Sequence, residues 1–146
     1  VSALEADHPI EWRRATHVVA ENRRTLDAAD AMTTGDPARL GALMSESHAS
    51  LRDLYEVSGP ALDLIVEIAA AAPGCLGARM TGGGFAGCAV ALVDTAEVDR
   101  FLALVDRAFT ERHGSAPQLW PCDAAAAASV QMVDAIRPPE ARERAG

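Results

Sequence analysis

The chain has 146 residues, 49% of them hydrophobic, and a formal net charge of −8 from 21 acidic and 13 basic residues. This length suits a single domain with its own core, and the acidic balance argues against nucleic-acid binding, which needs a basic surface to contact phosphates. No apolar run approaches the ~18 residues of a membrane span, and the three separated cysteines match neither a zinc site nor a disulfide framework, so we expect a soluble cytoplasmic protein without a membrane partner.

Three helices are predicted in the first half of the chain. Apolar residues repeat at helical spacing over residues 15–29, and Gly35 is the expected C-terminal cap. The Asp-Pro pair at 36–37 offers an N-cap and a first-turn proline to a second helix, whose apolar face continues through Leu54. A third helix begins at residue 60 and is ended by a Pro-Gly pair.

The next part of the chain predicts strands. A first strand covers about residues 78–81, and the apolar run at 88–93 is typical of a buried strand, in which Cys88 would be an inert hydrophobic side chain. The Asp-x-x-Glu pattern at 94–97 resembles a capping box that opens a fourth helix. A last strand is predicted at about 118–122, where its proline indicates a sheet edge. We therefore expect an α+β fold, with helices covering one face of a small antiparallel sheet.

The densest local signal lies between the first two strands, where four of the six residues at 82–87 are glycine. Glycine is used where φ is positive or where another surface approaches the backbone. Gly82, Gly84 and Gly87 satisfy the spacing G-x-G-x-x-G, but a dinucleotide-binding fingerprint opens a helix, whereas a strand follows here. From the pattern alone, a structural hairpin packed on its own domain is favoured over a ligand-binding loop.

Three ordered blocks of sequence resemble galactokinases, members of the GHMP family of small-molecule kinases. The block GARMTGGGFAGC at 77–88 looks like the third family motif, and HVVAEN at 17–22 is similar to the family's R-H-V-x-x-E-N helix. The block SHASLRDLYEVS at 47–58 resembles S-H-x-S-L-R-D-D-Y-E-V-S. The resemblance covers about residues 14–122, and the wording M-T-G-G-G-F points to the galactokinase branch.

The resemblance implies transfer of the ATP γ-phosphoryl group, with Mg, to O1 of galactose. It places this chain at the C-terminal end of a longer kinase, whose N-terminal half holds the sugar contacts, the catalytic groups and the main ATP and Mg contacts. That missing half is then the expected partner. The fold is implied to be a ferredoxin-like sandwich that lacks a strand supplied by earlier sequence, so we expect the isolated chain to expose a sheet edge and to self-associate as a homo-oligomer.

In the family, the third motif folds against the N-terminal phosphate loop, which makes the glycine loop the candidate cofactor-binding site. The candidate residues are Thr81, Gly82, Gly83, Gly84, Phe85 and Gly87. Phe85 is expected to anchor the loop by burial. Ala86 stands where the family usually has another glycine, and its methyl group is tolerable only if φ is negative and nothing presses on Cβ.

Other reactive side chains receive no catalytic or metal-binding role. Ser47, His48 and Asp53 invite interpretation as a nucleophilic triad, but they lie on one helical segment where His48 and Asp53 point in different directions, so a polar contact is favoured. Asp53 and Glu56 are predicted to lie on a solvated helix end rather than to act as an acid and base pair. Tyr55 is expected to pack.

Two classes of function remain open from the sequence. The chain is either the C-terminal part of a galactokinase-like enzyme, inactive alone, or a non-catalytic interaction module or split subunit that keeps the fold. The absence of an initial methionine at Val1 fits a fragment. The predicted organisation is a kinase-like domain at 1–122 and an alanine-rich, charged tail at 123–146.

Overall fold

The structure is a computed structural model and describes residues 2–123. In chain order its elements are α1 (Ser2–Asp7), α2 (Pro9–Thr34), α3 (Pro37–Ser50), a π-helix (Leu51–Tyr55), α4 (Pro60–Ala71), β1 (Cys75–Thr81), β2 (Cys88–Val93), a 3-10 turn (Thr95–Glu97) and α5 (Val98–His113). No helix in this part of the chain is long and apolar enough to cross a membrane. The tail predicted at 123–146, with its helical stretch and loose terminus, lies outside the described residues apart from position 123.

The predicted boundary between the first two long helices is confirmed. α2 ends at Gly35, whose φ of 69° is left-handed and whose N–H turns back to the carbonyl groups of the last helical turn. The Asp36 carboxylate then accepts a hydrogen bond of 2.9 Å from the N–H of Arg39, and Pro37 occupies the first turn of α3. These short-range signals set the boundary between α2 and α3, and the two helices contact each other.

The end of the second predicted helix differs from a regular α-helix. From Leu51 to Tyr55 the backbone is π-helical, and Glu56 closes it in a left-handed conformation with φ of 58°. The N–H of Val57 then donates back to the Leu51 carbonyl over 3.1 Å. π-helical turns are rare and often lie at functional positions, and this one directs the segment after it toward the hairpin between β1 and β2.

The two strands pair in antiparallel fashion, from Cys75 opposite Val93 to Thr81 opposite Cys88. The main core lies between α4, α5 and one face of this sheet, and its buried members are Val66, Ile68, Ala69, Ala72, Ala78, Phe101, Val105 and Phe109. A second cluster of Leu51, Leu62 and Met80 joins the π-helix, α4 and the end of β1. The predicted α+β class is therefore confirmed, with helices packed on a small antiparallel sheet.

Two predictions about the strands were wrong. β2 is only half-buried: Ala89, Ala91 and Val93 pack against the core, whereas Cys88 and Val90 are exposed. Its apolar side chains alternate between two faces, and the described elements cover only one of them. The second error concerns residues 118–122, which form no strand in the described structure. Leu119 packs on the core, but the backbone pairs with neither β1 nor β2.

The predicted capping box before α5 is also different in detail. The Asp94 carboxylate accepts a hydrogen bond of 2.9 Å from the N–H of Ala96 and so caps the 3-10 turn rather than the α-helix itself. α5 begins directly after this turn, at Val98, and ends at Gly114 with a left-handed φ of 88°. The pattern thus located the start of the helical segment but not the type of its first turn.

α3 crosses β1 with backbone almost touching backbone. A Cβ built on Gly41 would lie 2.1 Å from the Leu76 carbonyl oxygen, and a Cβ on Gly77 would lie 2.0 Å from the Gly41 carbonyl oxygen. Neither position has space for a methyl group, so glycine is required on both sides of the contact. This close approach holds α3, and the side chains that it carries, directly over the strand that leads into the glycine loop.

We expect Gly41→Ala to destabilise the domain, although alanine is the better helix former by about 1 kcal/mol. The added methyl forces α3 away from β1, and overpacking of this kind costs about 1–3 kcal/mol. Urea denaturation measures the change. Gly83→Ala is the matched control, because a Cβ there meets nothing within 4 Å in the part of the chain that the structure describes. Equal stability of Gly41→Ala and the unmodified chain would contradict the described contact.

Candidate functional site

The glycine loop is a hairpin whose three motif glycines all need backbone angles that other residues avoid. Gly82, Gly84 and Gly87 have φ of 77°, 83° and 136°. These are the positions that formally match G-x-G-x-x-G, so their spacing here reflects the conformation of a strand-to-strand turn. The loop begins at Thr81, the exposed last residue of β1.

The tip of the loop is fixed to the segment that follows the π-helix. The N–H of Phe85 donates to the Val57 carbonyl oxygen over 2.7 Å. A Cβ on Gly84 would lie 1.9 Å from the same oxygen, and a Cβ on Gly59 would lie 3.0 Å from the Phe85 carbonyl oxygen. Gly84 is therefore required by packing within the domain as well as by its φ.

Gly83 lies in a different environment. Its φ is outside the left-handed region, and a Cβ built on it meets nothing within 4 Å among the described residues. Neither backbone conformation nor packing within residues 2–123 explains a glycine at this position. Gly82 and Gly87 likewise have open space where a Cβ would lie, but their positive φ values account for them. The stretch from Thr81 to Gly83 is exposed, so its surface is open to another molecule.

The prediction that Phe85 anchors the loop by burial was wrong. Its side chain is 73% exposed, and its φ of 59° is left-handed, an unfavourable conformation for a residue with a Cβ. The anchor is instead its backbone N–H, which the Val57 carbonyl holds. Ala86 meets the expected condition on its backbone, because its φ is not positive, and the residue is exposed.

Two hydrogen bonds join α2 to α3 through residues of the first two blocks. His17 Nδ1 lies 2.8 Å from Ser50 Oγ, and Ser47 Oγ donates to Glu21 Oε2 over 2.7 Å. His17, Ser47 and Ser50 are buried, and buried polar groups need such partners. Glu21 also lies 3.9 Å from Nη1 of Arg79, in the third block. The polar residues of all three blocks thus converge between α2, α3 and β1.

His48 lies at the other side of α3, against the end of β1. Its Nδ1 accepts a hydrogen bond of 3.3 Å from the N–H of Met80, and its Nε2 is 3.4 Å from Asp63 Oδ1 on α4. The side chain is only 5% exposed. The carbonyl oxygen of Met80 accepts from Arg79 Nε at 3.0 Å. Side chains therefore hold both polar backbone groups of Met80, two residues before the first glycine of the loop.

The triad interpretation fails on geometry, because each member has a different partner. Ser47 contacts Glu21, His48 contacts Met80 and Asp63, and the Asp53 carboxylate pairs with Arg52 at 2.7 and 2.9 Å. No nucleophile, base and carboxylate of this set line up. The predicted polar contact for these side chains is confirmed.

Glu56 and Tyr55 form a second polar cluster with α2. Glu56 pairs with Arg13 and Arg14, each at 2.6 Å. The hydrogen bond from Arg14 is the largest effect lowering the pKa of Glu56, which keeps the carboxylate charged and unsuited to general acid catalysis. Tyr55 stacks on His17 with ring centroids 4.5 Å apart, so its predicted packing role is confirmed. This cluster fixes the left-handed residue that directs Val57 to the loop.

Sequence reasoning missed the carbonyl of Val57 and the carboxylate of Asp63. Both residues lie inside or next to the 47–58 block, but no local pattern indicates which carbonyl will face a distant loop. For His48 the sequence favoured a polar contact over a nucleophilic triad, but it did not indicate the partner of that contact. Its buried backbone contact depends on α3 lying over β1, and only the Gly41–Gly77 approach allows that.

Burial lowers the pKa of both internal histidines. For His17 the desolvation of the ring is the largest effect, opposed by the negative charge of Glu21. For His48 desolvation again dominates, opposed by Asp63. The ordinary histidine value is 6.5, so the unfolded chain binds protons at a pH where these folded imidazoles are still neutral.

We therefore expect the free energy of unfolding to fall as the pH is lowered from 7.5 to 5.5. The two depressed pKa values give stability that is fully present above about 6.5 and is lost as the pH falls through the folded values. Urea denaturation at the two pH values tests this. His48→Asn removes one of the groups and should reduce the difference. Stability that is constant or increases toward pH 5.5 would contradict the expectation.

Comparison with known proteins identifies relatives of this chain. The profile described as GHMP kinases C terminal matches residues 28–110. The chain is 52% identical over 113 residues to a galactokinase of Chloroflexus aggregans, covering 77% of this chain and 29% of that protein. It is 44% identical over 127 residues to a galactokinase of Roseiflexus sp., covering 87% of this chain and 32% of that protein.

A solved structure is similar in fold as well as in sequence. The crystal structure of Lactococcus lactis galactokinase complexed with galactose superposes with a TM-score of 0.71 at 41% identity, over 79% of this chain and 31% of that one. The chain thus spans about a third of the length of the proteins that it matches.

Proposed function

This chain belongs to the GHMP kinase family, and on that premise we propose that it is the C-terminal part of a galactokinase-like sugar kinase. The proposed reaction transfers the γ-phosphoryl group of ATP to O1 of galactose, with Mg as the metal. The relatives that carry the name galactokinase support this choice of substrate, as does the similar Lactococcus lactis structure, described as complexed with galactose.

The proposed partner of this chain is the remainder of the kinase. Apolar side chains on the outer face of α2, among them Val19 and Leu26, are exposed, as are Val90 on β2 and Phe85 in the loop. Exposed apolar groups of this size are typical of surfaces that another part of a protein covers. ATP, Mg and the sugar are proposed to bind mainly to that remaining part, which also supplies the charged groups.

The proposed role of this chain is to present the glycine loop to the phosphates or to the loop that binds them. Phosphoryl transfer depends mostly on positioning and on stabilising charge, and successive backbone N–H groups can form a cradle for an anion. The observation that carries this proposal is Gly83, a glycine that nothing within the described residues requires. Close approach of another molecule, or of a part of the kinase outside the described residues, would explain why position 83 is a glycine.

The isolated 146-residue chain is expected to have no galactokinase activity. Incubation with Mg-ATP and galactose should give no galactose 1-phosphate above a reaction without protein, measured by chromatography of the products. The same chain within the full-length kinase is the positive control. Product formed by a preparation that has been cleared of host galactokinase would contradict the assignment of the charged groups to another part.

Gly83→Val in the full-length kinase should reduce turnover by about tenfold or more, since close approach to the backbone is lost. The fold of this domain should stay largely intact, because a side chain at 83 meets nothing within 4 Å among its described residues. Turnover and melting temperature are measured on the same preparation. Normal specific activity of Gly83→Val would contradict the proposed role of the loop, whatever its melting temperature.

Gly84→Ala is the comparison variant that disturbs the packing of the loop on its own domain. Its methyl would collide with the Val57 carbonyl, and its φ of 83° is strained for alanine, so stability should fall by about 1–3 kcal/mol. The two variants therefore separate loss of stability at Gly84 from loss of turnover at Gly83.

A further inference from the structure

The exposed part of the glycine loop lies between two points of attachment to the same helical segment. On the β1 side, the N–H of Met80 donates to His48 Nδ1 over 3.3 Å. On the β2 side, the N–H of Phe85 donates to the Val57 carbonyl over 2.7 Å. His48 and Val57 flank the π-helix, so one rigid segment holds both sides of the loop. Gly83, where a Cβ would meet no described neighbour, lies between them.

The attachment on the β1 side requires one particular form of the imidazole. Because Nδ1 accepts a hydrogen bond from a backbone N–H, it carries no proton, and the neutral ring must be protonated at Nε2. Nε2 lies 3.4 Å from Asp63 Oδ1 without forming a hydrogen bond to it, and this nearby negative charge favours a proton on Nε2. In a charged imidazolium, Nδ1 would also carry a proton and would direct it at the N–H of Met80. Two donors would then face each other, and the attachment would be lost.

We propose that His48 is a positioning residue of the glycine loop, whose neutral Nδ1 fixes the backbone of Met80 and thereby the orientation of the amides at Gly82 and Gly83. The effect on turnover rests on the proposed function as a kinase. The attachment itself does not, because it is a property of this domain alone. His48 contacts neither substrate nor cofactor in this proposal and acts through the loop.

Charged groups surround His48 on every element packed against it. Asp63 faces it from α4, Arg52 and Asp53 from the π-helix, and Arg79 from β1. Burial is the largest effect and lowers the pKa of His48, and Asp63 opposes it. The ring is therefore neutral at any pH above 6.5, the ordinary pKa of histidine. Protonation of the ring at low pH would break the hydrogen bond to Met80 and free this side of the loop.

Two substitutions of similar size separate the functions of the two ring nitrogens. In His48→Asn, the side-chain carbonyl can take the place of Nδ1 and accept from Met80, while the contact with Asp63 is lost. In His48→Gln, the longer amide reaches toward the place of Nε2 and can donate to Asp63, while the N–H of Met80 loses its acceptor. If His48 only filled space, neither variant should affect the loop more than the other.

In the full-length kinase at pH 7.5, we expect His48→Gln to lower kcat about tenfold or more and His48→Asn to retain at least about a third of it. The KM for galactose should be unchanged in both, since the sugar contacts lie outside this chain. Lowering the pH to 5.5 should reduce the kcat of the unmodified enzyme more than that of His48→Asn, which lacks the titrating group. Equal kcat losses in the two variants would overturn the proposal.

Hydrogen–deuterium exchange of the peptide over residues 78–87 gives a readout independent of activity. We expect faster exchange in His48→Gln than in His48→Asn or the unmodified protein, and equal rates in all three would overturn the positioning role. If His48→Gln does not fold, the same point is decided by the exchange rates of this peptide in the unmodified protein and in His48→Asn. These rates are measured at pH 7.5 and 5.5 and corrected for the intrinsic pH dependence of exchange, and only the unmodified protein should exchange faster at pH 5.5. A full-length protein that does not phosphorylate galactose would overturn the proposed function, while the exchange rates still decide the role of His48.

Discussion

The position of the Val57 carbonyl oxygen is the constraint on which the candidate site depends. It accepts the N–H of Phe85 and leaves room only for glycine at position 84. For this oxygen to face the loop, the chain must change from α- to π-helical geometry at Leu51 and turn through a left-handed Glu56. A glutamate in that conformation is costly, and its ion pairs with two arginines of α2 offset part of the cost.

A second set of contacts joins the three distant blocks of sequence beneath the loop. α2 supplies His17 and Glu21, which hold α3 through Ser50 and Ser47. α3 in turn carries the imidazole that accepts from Met80 at the end of β1. The first block therefore contacts the second, and the second contacts the strand that leads into the glycine loop. The side chains within it are polar but buried, so removal of one partner leaves another without a hydrogen bond.

Two close backbone contacts set the geometry of this support. Gly41 and Gly77 bring α3 onto β1, and Gly84 brings the loop onto the segment after the π-helix. In both places glycine is required by a neighbour within the domain. Gly83 is not, and this difference among glycines gives the loop its interpretation as a surface for another molecule. A loop with fixed ends and an exposed centre suits a positioning role, because the centre cannot drift when a partner approaches it.

The sequence by itself determined the features that depend on residues a few positions apart. Gly35, Asp36 and Pro37 marked the boundary of α2 and α3, and the glycine density marked a turn between two strands. The amino-acid sequences of the three blocks identified the family. These signals are readable because caps, turns and first-turn prolines act within about four residues.

The tertiary structure alone decided what depends on contacts between distant residues. The Met80–His48 hydrogen bond joins positions 32 residues apart, and no local pattern indicates that Phe85 points outward while its N–H is the anchor. β2 is half-exposed and 118–122 forms no strand because burial and pairing depend on which neighbours are present, not on the residues' own apolar character. Gly83 and Gly84 are adjacent in sequence and identical in type. Their roles differ because Gly84 has a positive φ and lies beside the Val57 carbonyl oxygen, whereas Gly83 has neither constraint among the described residues.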